Sequence, residues 1–160
     1  MISNNVTRLL LSRNIPFVLF ELPTEKLGAI ETARQLNVSP ELVFKTIVVV
    51  RENKGKPILA IIPGPSEVDL KSLAFFLDEK KLKVPSQNLA EQLTGLQTGG
   101  ISPLSLINRG FQIILDESAL GFKEIHISGG QRGLNVRIPV KDLMKLINAR
   151  TAPISLLPGC

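Results

Sequence analysis

Leu42-Val43-Phe44-Lys45-Thr46-Ile47-Val48-Val49-Val50-Arg51 is rich in β-branched residues and carries an aromatic at Phe44. Such residues fit a pleated, half-buried surface, so the run predicts a strand. Asn53-Lys54-Gly55-Lys56 supplies turn chemistry, and Pro57 to Ile62 returns as the partner strand of a hairpin. Strand periodicity puts Val43, Lys45, Ile47 and Val49 on one face and Phe44, Thr46 and Val48 on the other. Lys45 therefore interrupts an apolar face. It either snorkels from the strand end or turns its ammonium into a polar cleft.

On the N-terminal side, Asn4 to Ser12 reads as a short helix with Val6, Leu9 and Leu10 at helical spacing, capped by Ser3 or Asn4. Phe17 to Leu22 is a strand ended by Pro23, and Ala29 to Leu36 is a helix. Ser39-Pro40-Glu41 starts a helical turn, with proline at its first position. On the C-terminal side, Pro63-Gly64-Pro65 breaks the chain before helices over Asp69 to Leu77 and Gln87 to Leu93. Short strands follow at Phe111 to Leu115, Lys123 to Ser128 and Leu134 to Ile138, then a closing helix from Val140 to Asn148. Strands joined by hairpins dominate this half. The expected fold is α/β of the α+β type: one domain over residues 1–150, with a mixed, largely antiparallel sheet and helices packed around it. Residues 151–160, with two prolines and a glycine, are expected to form a loosely attached tail.

A chain of 160 residues is most simply one domain with a sizeable core, and its 44% hydrophobic and 21% charged content is that of a globular protein. No apolar run approaches the length needed to span a bilayer, so no membrane partner is expected. Arg8 and Arg13 interrupt the N-terminus, and no secretory signal is visible. The single cysteine, Cys160, excludes an internal disulfide framework and fits a reducing cytoplasm. A net charge of +5 favours a polyanionic partner such as nucleic acid. Without Trp or Tyr the chain is poorly supplied for base stacking, so phosphate contacts and shape should dominate any RNA binding.

Gly99-Gly100-Ile101-Ser102-Pro103 is the second informative stretch. Adjacent glycines let a backbone turn approach a ligand closely and aim consecutive N–H groups at one point, as an anion or oxyanion requires. Pro103 closes the run with a fixed φ and no donor. The plain alternative is an ordinary loop. Ser128-Gly129-Gly130-Gln131-Arg132-Gly133 is a similar turn after a strand, either a hairpin with a solvated arginine or a second site loop. His126 shares a strand face with Glu124 and Ser128. One histidine without a cysteine cluster makes no metal site, and no cofactor is expected. No serine lies in a G-x-S-x-G setting and no nucleophile–base pair stands out, so any hydrolysis would rely on water or on a group within the substrate.

Four motifs in order and in register carry a resemblance: Val43-Phe44-Lys45-Thr46, Thr98-Gly99-Gly100-Ile101-Ser102-Pro103, Leu115-Asp116-Glu117-Ser118-Ala119 and Ser128-Gly129-Gly130-Gln131-Arg132-Gly133-Leu134. Over roughly residues 15 to 150 the chain resembles the YbaK family, itself similar to the editing domain inserted in bacterial prolyl-tRNA synthetases. The resemblance implies a curved, barrel-like sheet and a free-standing deacylase for mischarged tRNA, most typically Cys-tRNA(Pro). It implies that Lys45 holds the terminal adenosine and the ester, and that Gly100 and its neighbours Gly99, Ile101 and Ser102 present amides to the carbonyl oxygen. Phe20, Ser128, Gly129 and Asn135 fall where the family lines the rest of the pocket.

The family is thought to use the cysteine substrate's own thiol as nucleophile, which suits a chain lacking a triad. Two positions depart from its pattern: Phe20-Glu21-Leu22-Pro23 replaces an aromatic-x-His-Asp run, and Asn135 stands where a carboxylate is frequent. Either departure reshapes the amino-acid pocket or weakens catalysis. The expected partners are the tRNA acceptor end carrying the wrong amino acid and, as in family members that work beside a synthetase, prolyl-tRNA synthetase. The alternatives are a deacylase for another mischarged tRNA, such as Ala-tRNA(Pro), and a non-catalytic module that binds acceptor ends.

Overall fold

In the computed structural model, which describes residues 2–52 and 55–158, the run expected as a strand over Leu42–Arg51 forms strand β2 over Phe44–Arg51. In chain order the elements are α1 (Asn5–Ser12), β1 (Val18–Glu21), α2 (Gly28–Leu36), β2, β3 (Ile58–Pro63), β4 (Glu67–Val68), α3 (Leu70–Leu77), β5 (Leu82–Lys83) and α4 (Gln87–Thr94). They continue with β6 (Gln112–Asp116), β7 (Glu124–Ser128), β8 (Leu134–Pro139), α5 (Val140–Ile147), β9 (Arg150–Ala152) and β10 (Ser155–Leu156). Short 3₁₀ turns occupy Pro40–Leu42, Pro103–Leu106 and Glu117–Gly121.

The β2–β3 hairpin expected from the sequence is antiparallel, with Lys45 opposite Ile62 and Val49 opposite Ile58. Its tip at Asn53 and Lys54 lies outside the described residues. Around it a five-stranded sheet runs in the order β5-β2-β3-β6-β9, with β3–β6 and β6–β9 parallel. A second sheet, β1-β8-β7, is wholly antiparallel. The sheet content is thus mixed and mostly antiparallel, as the sequence predicts.

Alternation along β3 explains how the core divides. Leu59 and Ile61 face one cluster with Phe44, Val48, Ile113 and Leu115. Ile58, Ala60 and Ile62 face another with Val49, Ile114 and the α3 residues Leu73 and Ala74. Because β3 is buried on both faces it reads as a continuous apolar run. Each fully buried Leu or Ile there contributes about 1.5–3 kcal/mol of transfer free energy.

The first cluster is closed by Ile125, Ile127, Val136 and Ile138 from the second sheet, by Val6 and Leu10 of α1, and by Val140, Leu143 and Ile147 of α5. One parallel bridge, Val43 to His126, joins the two sheets at a corner, so they curl around that cluster. The curl stops short of a ring. Among the described residues β1 pairs only with β8, so the curved sheet is not a closed barrel.

The expected loose tail is a correction. Arg150–Ala152 adds a parallel strand to β6, Ser155–Leu156 pairs with β4, and Ile154 is fully buried with its N–H donating to Asp116 Oδ1 at 2.9 Å. Those pairings join distant parts of the chain, so nothing in the local Pro/Gly composition announces them. Cys160 lies outside the described residues.

Candidate active site

The β1-β8-β7 sheet sends alternate residues to opposite sides. Leu19, Val136, Ile125 and Ile127 pack into the core, and the other set forms a polar face. On that face Phe20 lies opposite Asn135, and Asn135 opposite Ser128. His126, next along β7, is buried; its Nδ1 lies 2.9 Å from Asn135 Oδ1, and its ring centroid lies 5.5 Å from that of Phe20. Burial pushes the His126 pKa below its ordinary value, against the opposing pull of the Asn135 hydrogen bond. The neutral ring therefore donates from Nδ1 to the amide oxygen. This leaves Asn135 Nδ2 as the unused donor of that side chain.

The two glycine turns pack against each other beside this face. In the first, the Gly100 N–H donates to Gln97 O at 2.8 Å while Gly99 adopts φ 92°, a left-handed conformation that suits glycine. A Cβ on Gly100 would lie 2.9 Å from Arg132 N and Gln131 Cα, so the approach of the two turns requires a bare Cα. Arg132 Nε donates to Thr98 O at 2.7 Å, and the Thr98 N–H donates to Glu91 Oε2 at 2.7 Å. The second turn is closed by Gly129 N–H to Leu134 O at 2.8 Å and pinned by Asn4 Nδ2, which donates to Gly129 O at 2.9 Å. Asn4 is also the α1 cap expected from the sequence, in a reciprocal capping box with Thr7.

Between these turns, the start of β2 and the segment from Leu22 to Thr32 lies a cavity of about 240 Å³. Lys45 reaches it from β2. Burial pulls the Lys45 pKa below the ordinary lysine value, and Glu67 pulls it partly back. Lys26 and Arg132 add two more cations to the wall.

Of the residues singled out from the sequence, Lys45, Gly99, Ile101, Ser128 and Asn135 line this one cavity. Four others do not. Gly100 backs the first turn with its N–H committed to Gln97, whereas the amides of Gly99 and Ile101 have no hydrogen-bond partner among the described residues. Ser102 is fully buried and its Oγ accepts from the Leu104 N–H at 3.2 Å, capping the following 3₁₀ turn. Gly129 holds the hairpin closed, and Phe20 stands one strand away against His126.

The sequence reading missed the part of the wall formed by Glu25, Lys26, Ala29 and Thr32, while Leu22 and Pro23 beside it lie in the run that departs from the family pattern. Tertiary contacts place the segment. Leu22 N–H donates to Gly133 O at 2.8 Å, and Ala29 Cβ lies 2.6 Å from where a Gly64 Cβ would be. Among the described residues no group of three His, Cys, Asp or Glu could hold a metal ion. No helix there is long and apolar enough to cross a membrane.

Residues 25–146 match the aminoacyl-tRNA editing domain family. The chain is 31% identical over 153 residues to an Enterococcus faecalis protein named "Putative Cys-tRNA(Pro)/Cys-tRNA(Cys) deacylase", covering 94% of this chain and 92% of that one. A crystal structure described as a "putative trans-editing enzyme for prolyl tRNA synthetase" superposes with TM-score 0.80 at 25% identity, over 98% of this chain and 99% of that one. The fold is also that of the hypothetical protein APE2540, with TM-score 0.87 at 22% identity over 96% of this chain and 100% of that one. On this match, which spans both glycine turns and Lys45, the chain belongs to the aminoacyl-tRNA editing domain family.

Proposed function

We propose that the cavity hydrolyses the ester of mischarged tRNA, with Cys-tRNA(Pro) as substrate, by attack of the substrate's own thiol. One observation carries the reading: Lys45, Gly99 and Ile101 line one cavity, the Gly99 and Ile101 N–H groups have no hydrogen-bond partner among the described residues, and no lining side chains form a nucleophile–base pair. The only histidine of the chain is hydrogen-bonded to Asn135 rather than to a hydroxyl. Deacylation of aminoacyl-tRNA is the activity of the family, and the names of the E. faecalis relative and of the trans-editing structure favour the cysteine and proline assignments.

In this mechanism the cysteinyl sulfur bonds to the ester carbon and the carbon–oxygen bond to the ribose breaks. The thiol proton passes to the departing ribose hydroxyl, and water then opens the resulting thiolactone. Held in near-attack geometry, such an intramolecular step reaches effective molarities of about 10⁵–10⁸ M. The Gly99 and Ile101 amides face the carbonyl oxygen as its charge develops, and one such donor is worth roughly 10²–10³ in rate. Lys45 holds the terminal nucleotide and the ester. Ser128 and Asn135 line the amino-acid side of the pocket. The protein would act in the cytoplasm on the acceptor end, with prolyl-tRNA synthetase as the partner that reads tRNA identity.

The test is single-turnover deacylation of cysteinyl-, seryl- and alanyl-tRNA(Pro) by the wild type and Lys45→Ala. Loss of the cysteinyl ester with wild type alone, and none of the seryl ester, supports the reading. An undiminished Lys45→Ala rate removes that residue's role, and a preference for the alanyl ester removes the thiol route. Salt-sensitive tRNA binding without ester loss makes the chain a binding module instead.

A further inference from the structure

The wall of the cavity is charged unevenly. Lys26, Lys45 and Arg132 are cationic, and Glu25 is the one carboxylate among the lining residues. Arg132 lies at the first glycine turn, with Nε 3.5 Å from where a Cβ on Gly99 would sit, and the Lys26 stem passes the same turn with its ammonium donating to Gln87 Oε1 at 3.3 Å. That end suits the anionic part of an aminoacyl-tRNA and the oxygen that gains charge during ester cleavage. It repels the other charge of the substrate, the α-ammonium of the amino acid.

Asn135 offers the ammonium no opposite charge: its amide is neutral, and its oxygen already shares one lone pair with His126. Ser128 Oγ accepts from the Gly130 N–H at 3.2 Å.

From this charge layout we infer that Glu25 reads the substrate's α-ammonium and makes a free amino group a condition of efficient binding. The inference rests on the aminoacyl-ester reading above and adds a specificity-determining residue to it. The backbone beside Glu25 is held in place. Leu22 N–H donates to Gly133 O at 2.8 Å, and Thr24 Cγ2 lies 3.0 Å from where a Gly133 Cβ would sit, so the second glycine turn anchors the segment just before it. After it, α2 begins at Gly28 and Ala29 meets Gly64. A carboxylate displayed between two anchored points loses less conformational freedom on binding than one on a free loop. A substrate with an acylated amine, such as a peptidyl ester, carries no cation for Glu25 and leaves its carboxylate unpaired. The device thus separates aminoacyl from peptidyl esters independently of the amino-acid side chain.

The experiment compares cysteinyl-tRNA(Pro) with its N-acetyl derivative, which retains the thiol and the ester and carries a neutral amide in place of the ammonium. Wild type is expected to favour the free amine by roughly 10- to 100-fold in kcat/KM, the ratio that corresponds to one charge-assisted hydrogen bond. In Glu25→Gln the free-amine substrate falls to the N-acetyl level while the N-acetyl rate is unchanged, and Glu25→Asp restores part of the difference. A Glu25→Gln variant that slows both substrates equally, or neither, overturns the inference.

A second arm needs no turnover. Binding of 3′-cysteinylamino-3′-deoxyadenosine, a stable amide, is measured against its N-acetyl form for both proteins. If the ester is never cleaved but Glu25→Gln alone abolishes this binding difference, the deacylase reading fails and the role of Glu25 stands.

Discussion

Arg132 Nε donates to the Thr98 carbonyl at 2.7 Å, so a guanidinium from the second glycine turn straps down the first. The strap crosses the turn whose Gly99 and Ile101 line the cavity. Arg132→Ala should lower kcat/KM for aminoacyl-tRNA roughly 10- to 100-fold, because displacement of positioned groups by about 1 Å costs on that order. Stability should fall by about 1–2 kcal/mol. Lysine lacks the Nε fork and should not restore the rate. Full activity in Arg132→Lys would show that charge alone, and not the strap, matters.

Gly100→Ala and Gly95→Ala separate crowding from backbone strain. At Gly100 a methyl group would meet the Gln131–Arg132 backbone at 2.9 Å, whereas at Gly95, with φ 75°, nothing lies within 4 Å. Gly95→Ala should cost about 1 kcal/mol from its left-handed φ and leave activity per folded molecule intact. Gly100→Ala should cost about 1–3 kcal/mol and also lower activity, since the two turns must part. Chemical denaturation with activity assayed on the folded fraction distinguishes them. Equal activity in the two variants would contradict this account.

His126 predicts an acid-sensitive fold. Its pKa is lowered in the folded state, mainly by burial, so the unfolded chain takes up the proton first as pH falls. The stability it contributes is fully present above about pH 6.5, the unfolded value, and is lost as pH falls through the lower folded value. The groups facing it are Asn135, Phe20, Arg137 and Glu124. The Tm of wild type should therefore drop more than that of His126→Gln between pH 7.5 and pH 5. Parallel Tm curves for the two proteins would exclude His126 as the cause.

Lys45 is held against its own preference. Burial lowers its pKa first and foremost, so the folded state disfavours the charge that the unfolded state carries freely. Lys45→Met keeps the length and removes the ammonium. It should raise Tm while removing deacylation, the trade expected where a site is kept at the expense of stability. A lower Tm in Lys45→Met would mean that the ammonium stabilises the fold.

The sequence carried these features unequally. Asn4 could be identified as a cap, and the β2–β3 hairpin and α5 could be placed, because cap chemistry and periodicity are local properties. β4, β5 and β10 have two residues each, too few to show any period. β9 was hidden because its parallel partner β6 lies far back in the chain. Within the site, Lys45, Gly99, Ser128 and Asn135 carried a motif signal and do line the cavity, whereas Gly100 and Ser102 carried the same signal and turn out to support its walls. A motif marks which positions are constrained without separating contact from support. Glu25 itself carried no signal, since what places it is Gly133 and Gly64 touching the residues on either side of it.

The pairing of β1 with β8 has a consequence for how the protein is made. Val18 finds its partner only at Arg137, so during synthesis β1 stays unpaired until β8 has been made. At about 5–20 residues per second the ribosome takes on the order of 10 s to cover that gap. For that interval Phe17 to Glu21 is an unpaired apolar edge, available to chaperones and to neighbouring nascent chains. The cavity, whose lining runs from Leu22 to Asn135, cannot close before β8 is made.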